Sequence, residues 1–442
     1  MRILLIGILA ALGLAAAVQA QEERAIGHFA GVGGRAMGMG GAYLAVADDF
    51  TAVYWNPAGL AQMGMPGRAQ REGYVAFARN NHQNESAQAG FLADSELSNT
   101  RFGSLGFVYP VPVYRGSLVL AAGFNRIKDF DWNLRIQSFA DSLQVDDTFS
   151  HEGELAMTSL AGAVDVSPNT SLGLTVSIVQ GEDESVAEFI SLDSEEYYEE
   201  KRFVDQQRFT DEYKTAFVAT FGTMVRWPRE DPVMRLGATL TSGSTHQVEY
   251  VFRSPPDTTF SLIEYDDGTT VRGVAQEGGD SYKIALPIQV GIGASYQPVP
   301  GLWLAASAHF AEWSQSEYRG EDEFGVRANA DFETQYEDTI RYHLGAEYQV
   351  PAIALDLRVG YYSDPLPFIG PRDPDLAVNE LTNPLIIIEQ DRDFLTLGAG
   401  LLLDGVVQVD AAWTRGRFER AEGLLSEKLT TNRLFGGVGY RF

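Results

Sequence analysis

From residue 71 to 442 the dominant pattern is a period of two: apolar and polar residues alternate in short runs that recur along the chain. The clearest run is 282–296. Tyr282, Ile284, Leu286, Ile288, Val290, Ile292, Ala294 and Tyr296 fall on one face, and Lys283, Gln289, Gly291, Gly293, Ser295 and Gln297 on the other. The same alternation sets Leu355, Leu357, Val359 and Tyr361 against Asp356, Arg358 and Gly360. It also sets Val407, Val409, Ala411 and Trp413 against Gln408, Asp410 and Thr414. This is the pattern of strands whose two faces meet different surroundings. Runs at 71–80, 101–110, 117–127, 151–166, 171–180, 213–226, 233–246, 281–297, 302–316, 336–349, 353–363, 392–403, 406–417 and 429–442 predict about fourteen strands, an even number.

The connections divide into two kinds. Short ones (111–116, 167–170, 227–232, 298–301, 350–352, 404–405) carry Pro, Asn, Asp and Gly, the residues that set turn geometry. Long ones (81–100, 128–150, 181–212, 247–280, 317–335, 364–391, 418–428) alternate with them. A short/long rhythm with apolar-out, polar-in strands predicts an all-β fold, a 14-stranded antiparallel transmembrane β-barrel, with periplasmic turns, external loops and both chain ends in the periplasm. Tyrosine at both ends of 282–296 suits a strand that crosses two membrane interfaces. A slip of one residue would put charge into lipid, so register is fixed. Pro287 interrupts this otherwise regular run; it marks a bulge, a kink or an opening in the wall, or is simply tolerated there.

Before the strands come two other segments. Residues 1–20 read as a secretory signal peptide: Arg2 is the positive end, 3–17 the apolar core, and Val18, Gln19 and Ala20 the small-residue cleavage site. Residues 21–70 form a small N-terminal piece, and 71–442 the barrel. Within the piece, 31–60 is rich in glycine and alanine and ends in Asn56, Pro57, Ala58, Gly59 and Leu60. Asp48 is placed to cap a short helix over 50–55, Asn56 to end it, and Pro57 to start another. Small residues allow close backbone packing inside a narrow barrel. The glycines at 31–41 are not a dinucleotide fingerprint, because no strand precedes them.

Charge and cysteine content narrow the function. The formal net charge of −27 argues against nucleic acid or an anionic membrane surface as partner. There is no cysteine, hence no disulfide and no thiolate metal site. The six histidines have no metal-ligand spacing, and no nucleophile–base arrangement stands out. The sequence therefore calls for no metal, no cofactor and no enzyme activity, with a barrel-embedded hydrolase as the weaker alternative.

The segment 181–212 mixes many acids with Phe189, Ile190, Leu192, Tyr197, Tyr198 and Phe203. It reads as a short amphipathic element of an external loop: either a capture site for a hydrophobic molecule, or loop-on-loop packing with divalent cations bridging to surface lipopolysaccharide. Arg341, His343, Glu347, Asp356, Arg358 and Asp410 face inward on the later strands. Paired charges there tie strands to a plug, or serve chemistry. Counting back by twos from Phe442 gives Tyr440, Val438, Gly436 and Leu434, which reads as a signal for the outer-membrane barrel assembly machinery.

The stretches 33–43, 47–49 and 56–60 resemble the N-terminal hatch of the FadL/TodX outer-membrane transport family, and are also similar to the related PorV-like barrels of protein secretion. The segments 358–368 and 394–400 resemble that family's late strands. The resemblance implies an outer-membrane, fourteen-stranded barrel with a small helical hatch in its lumen. It implies diffusive uptake of hydrophobic compounds, long-chain fatty acids or aromatic hydrocarbons, captured by loops 181–212 and 247–280 and released sideways through the wall. It casts Asn56, Pro57, Ala58, Gly59 and Leu60, with Gly38, Gly40 and Gly41, as the hatch motif. The alternative it implies is a PorV-like barrel that binds or shuttles secreted proteins.

Overall fold

The computed structural model describes residues 29–65, 69–140, 142–228, 231–254, 261–319, 329, 333, 336–351, 353–367, 388–389, 392–422 and 425–442. The segment 1–20 read as a signal peptide lies outside them, as do most of the expected loops 317–335 and 364–391. The chain opens with two short helices, α1 (Gly34–Gly38) and α2 (Ala52–Trp55), and a 3-10 helix at Pro57–Gly64. Fourteen crossing strands follow and close into an antiparallel barrel. They are Glu72–Gln88 (β1), Phe91–Val111 (β2), Leu118–Asp129 continued by Trp132–Ala140 (β3, β4), Leu143–Asp165 (β5), Thr170–Leu192 (β6) and Glu200–Trp227 (β7). Next come Met234–Thr241 continued by Ser244–Ser254 (β8, β9), Gln276–Leu286 continued by Gln289–Val299 (β12, β13), and Leu302–Ala311 continued by Glu317–Tyr318 (β14, β15). The circuit ends with Thr339–Val350 (β16), Leu355–Asp364 (β17), Ile388–Glu389 with Arg392–Leu403 (β18, β19), Val407–Glu422 (β20) and Leu425–Arg441 (β21). A small hairpin, Leu262–Tyr265 (β10) and Thr270–Arg272 (β11), is added outside against β7.

Closure joins β1 to β21 from Glu72↔Arg441 to Gln88↔Leu425. At that seam Arg441 donates to Glu72 at 2.9 Å, and Arg71 and Phe442 exchange backbone hydrogen bonds at 3.0 Å. A closed sheet leaves no unpaired edge for lipid to meet. Lipid-facing positions carry Leu160, Leu174, Val176, Phe217, Phe221, Leu240, Leu344 and Leu395, all exposed, while their sequence neighbours point inward.

The external connections are shorter than the alternation suggests. The stretch 81–100 is almost all strand, with its turn at Ala89 and Gly90. Within 128–150 lies β4, and 181–212 is strand except for 193–199. Beyond the membrane, pairing is still the cheapest way to satisfy backbone groups, so the ladders run on into water. The acid/apolar mixture of 182–192 is therefore a two-faced strand and not a helix-like element. Asp183, Ser185, Ala187 and Phe189 are buried, and alternate positions are half-buried.

One irregularity crosses three adjacent strands. Ser242 and Gly243 separate β8 from β9, Pro287 and Ile288 separate β12 from β13, and 312–316 separate β14 from β15. Pairing holds on either side, at Ser244↔Leu286 and Thr241↔Gln289. Across the break both chains exchange faces. Gly237 and Thr239 point inward before it, and His246 and Val248 after it; Ile284 is inward, as are Gly291 and Ser295. The single apolar face expected over 282–296 is thus corrected. Ile288, Val290, Ile292 and Tyr296 face outward, but Ile284 is buried and Tyr282 and Leu286 pack on an inner cluster. Proline breaks the ladder, and the chain then resumes with inverted parity.

Candidate functional site

The segment 29–65 lies in the lumen and forms the largest buried cluster with the wall, joining Met37, Tyr43, Phe50 and Trp55 to Tyr74, Val108, Tyr362 and Phe394. Backbone meets backbone where glycines face each other. A Cβ on Gly398 would stand 2.7 Å from Gly38 Cα, one on Gly360 would stand 2.2 Å from Gly40 N, and one on Gly345 would stand 2.3 Å from Met39 O. Gly40 and Gly41 also need glycine for their positive φ of 65° and 73°. Asn56 is fully buried. Its amide donates to the carbonyls of Leu44 (2.9 Å) and of Thr223 on the wall (3.1 Å), and its oxygen accepts from Ala58 N (3.1 Å). Pro57 follows as the first residue of the 3-10 helix. Ala58, Gly59 and Leu60 are buried there, with Gly59 against Ala47 O.

The expected cap is not formed: Thr51 is the N-cap of α2, and no side chain caps it. Asp49, not Asp48, accepts from Thr51 N (2.8 Å) and from Tyr43 Oη (2.7 Å), ahead of a four-residue helix, α2. Asp48 instead pairs with Arg35 at 2.5 Å. Arg35 also reaches Glu347 at 2.8 Å on the wall. Glu347 and Asp410 both bind Arg358, at 2.7 and 2.6 Å, and Asp356 lies 3.3 Å from it. Arg341 pairs with Asp364 at 2.7 Å, and Asp364 accepts from the backbone N–H of Phe29 at 3.2 Å. His343 Nδ1 lies 2.6 Å from Gly40 O. The six inward residues thus fall into a charged set on Arg358 (Glu347, Asp356, Asp410), a pair with Asp364 (Arg341), and a hydrogen bond to the plug (His343).

Outside the plug lies a cavity of about 170 Å³. Plug residues Phe29, Tyr54 and Trp55 form its floor, with Leu155, Met157 and Val179 among its apolar walls. It reaches the three-strand break, where Ser242, Ser244, Leu286 and Pro287 line it. Phe29 sits in an edge-on cage of Trp55, His343 and Tyr362, with the Arg341 guanidinium 4.8 Å above its ring. His246, His309 and His343 also line the cavity, the rings of the last two 5.1 Å apart. The indole donors are engaged, Trp55 with Val32 O and Trp313 with Thr339 Oγ1, both at 2.9 Å. Sequence reasoning singled out neither Phe29, Trp55 and Trp313 nor His246 and His309. The inward parity of 303–311 would have placed His309 in the lumen.

A second thinning of the ladder is polar. β2 pairs with β3 only between Ser104 and Val111. Outward of that, β4 lies near β1, where Asn84 donates to Asn133 O at 2.8 Å. Arg101, Asp129 and Asp131 fill the space between, with Arg101 2.6 Å from Asp131. His82, Asp129 and Asp131 lie close enough together for a metal ion, but this guanidinium already balances the carboxylates.

Phe189 is buried edge-on against Phe149. Tyr197 is exposed beside Tyr198, and Ile190, Leu192 and Phe203 are half-buried. Asp147, on the same outer extension of β5, has its carboxyl pushed up to about 7 by burial. Tyr440 and Phe442 stack at 5.4 Å on the outer surface beside the seam.

Residues 6–433 match the family described as outer membrane protein transport protein (OMPP1/FadL/TodX). No curated protein matches the chain. Among solved structures, a FadL homologue of Pseudomonas aeruginosa is similar at 15% identity and a TM-score of 0.62, covering 93% of this chain and 99% of that one. The toluene transporter TodX of Pseudomonas putida gives 12%, 0.60, 93% and 99%. The toluene transporter TbuX of Ralstonia pickettii gives 13%, 0.55, 93% and 98%.

Proposed function

The chain belongs to the OMPP1/FadL/TodX family of outer-membrane transport proteins, and on that premise we propose that it passes small hydrophobic compounds by diffusion into the lumenal cavity and out sideways through the wall at the Ser242/Pro287 break. The observation that carries this reading is the cavity itself: floored by plug aromatics, walled in part by Leu155, Met157 and Val179, and lined by the residues of the break. Leu240, Ile288 and Val290 stand exposed on the lipid side of the same place. The thinning between β2 and β3 is filled with Arg101, Asp129 and Asp131, a poor path for an apolar molecule. A cavity of about 150 Å³ is known to take up benzene, so this one favours single-ring compounds over long-chain fatty acids, in keeping with the toluene transporters among the similar structures.

In this reading Tyr197, Tyr198, Ile190, Leu192 and Phe203 collect the compound outside, and Phe189 stiffens that surface. Asn56, Pro57, Ala58, Gly59 and Leu60 hold the plug in place, and Tyr440 and Phe442 address the chain to the assembly machinery. The test is uptake of a labelled one-ring hydrocarbon into cells with and without the protein, and into cells carrying Ser242→Trp at the break or Gly103→Trp, on β2 just beyond the Ser104 end of its pairing with β3. Loss with Ser242→Trp alone supports the exit; unchanged uptake on deleting the protein overturns the transport reading.

A further inference from the structure

We propose that the cavity selects a single-ring compound bearing a hydroxyl hydrogen-bond donor, a phenol, over the plain hydrocarbon of the same shape; this rests on the cavity being the transport site. The argument starts from hydrogen-bond supply. His343 Nδ1 faces the carbonyl oxygen of Gly40, which only accepts, so Nδ1 carries the proton and the neutral ring leaves Nε2 with its lone pair. Among the described residues that Nε2 is buried with no partner. His309 Nε2 and His246 Nδ1 are buried without partners as well, the other His246 nitrogen lying 3.1 Å from Ser244 Oγ. His343 and His246 are 1% and 2% exposed. These three unmatched ring nitrogens belong to residues that line one small cavity, whose other lining sets apolar side chains beside Lys128, Gln289, Arg341 and several Ser and Thr hydroxyls.

Buried polar groups are normally matched, and a site with unmatched ones favours the ligand that supplies the missing partner. His343 Nε2 asks for a donor. Toluene has none. A carboxylate has none either, and the cations it would seek are engaged: Arg341 is held by Asp364 at 2.7 Å, and Lys128 is not free. A phenol supplies one donor on one ring, which suits the volume.

The experiment measures equilibrium binding of phenol, toluene and anisole to the purified full-length barrel in lipid nanodiscs, with free concentrations fixed by dialysis. Phenol and toluene are nearly isosteric, and anisole keeps the oxygen but lacks the donor. Phenol should bind at least tenfold more tightly than either. His343→Phe and His309→Phe should each erode the phenol-over-toluene ratio. If loss of the plug contact prevents His343→Phe from folding, His309→Phe and the wild-type comparison still decide. Equal or tighter binding of toluene, or anisole binding like phenol, overturns the donor preference and leaves the transport reading standing. Failure of all three to bind overturns both.

Discussion

His343, on the barrel wall, is bound through Nδ1 to the carbonyl oxygen of Gly40, in the plug, at 2.6 Å. One side chain therefore touches both the plug and the cavity, so a plug that shifts also turns a cavity-lining ring. Removing it leaves a buried carbonyl unmatched, at a cost of about 1–3 kcal/mol. His343→Leu should lower thermal stability by that order, and bilayer recordings should show larger ion leak through a loosened plug.

Gly360→Ala is expected to unseat the plug more strongly than its size suggests. The new methyl would lie 2.2 Å from Gly40 N, and backbone on both sides has no room to yield. Overpacking of this kind costs about 1–3 kcal/mol or more. The same change at Gly436, where nothing lies within 4 Å, should be nearly silent. Heat-modifiable migration on gels compares the two directly.

Arg358 is fully buried between Glu347 and Asp410. Arg358→Met leaves Asp410 without its cation and Glu347 with Arg35 alone, and breaking such a set costs about 3–5 kcal/mol. The triple change Arg358→Met, Glu347→Gln, Asp410→Asn should recover part of that loss. A triple variant no more stable than the single one would show that the charges do not act as a unit.

The outer extension should loosen as pH rises. Burial holds the Asp147 carboxyl up to about 7 when folded, above its unfolded value, so the folded form binds the extra proton. Its penalty is absent below the unfolded value, grows as pH climbs, and is complete above about pH 7. Protection factors of 143–149 and 186–192, with the intrinsic base-catalysed rate divided out, should be higher at pH 5 than at pH 8, and Asp147→Asn should flatten the difference. Asp146 beside it behaves oppositely: its hydrogen bonds from Arg135 hold it low, so it stays ionised across that window.

Pro287→Thr restores a ladder donor at the break. If hydrophobic molecules leave there, uptake should slow severalfold while equilibrium binding in the cavity is unchanged. Faster or unaltered uptake would move the exit elsewhere.

The strand count and barrel class were legible because lipid and lumen impose alternation on nearly every crossing strand. Leu355, Leu357 and Val359, set against Asp356 and Arg358, carry that message locally. The run 282–296 did not carry it throughout, because the exchange of faces at Pro287 depends on β8 and β9 turning with it. The outer ladders of β6 and β7 were hidden since acid and apolar residues there alternate without a lipid face. That Asp48 caps no helix turned on Arg35, which claims its carboxylate. The cavity was out of reach of local pattern: His246, His309 and His343 lie on three separate strands and meet only when the sheet curls.

The glycine-to-glycine seating of plug on wall carries a consequence for engineering. Gly38 with Gly398, and Gly40 with Gly360, are interlocked shapes written in distant parts of one gene. Grafting a plug from a relative into this barrel transfers half of a matched surface. Libraries aimed at new selectivity should hold these facing pairs fixed, or vary them together, and place their diversity at Phe29, Trp313 and the cavity histidines.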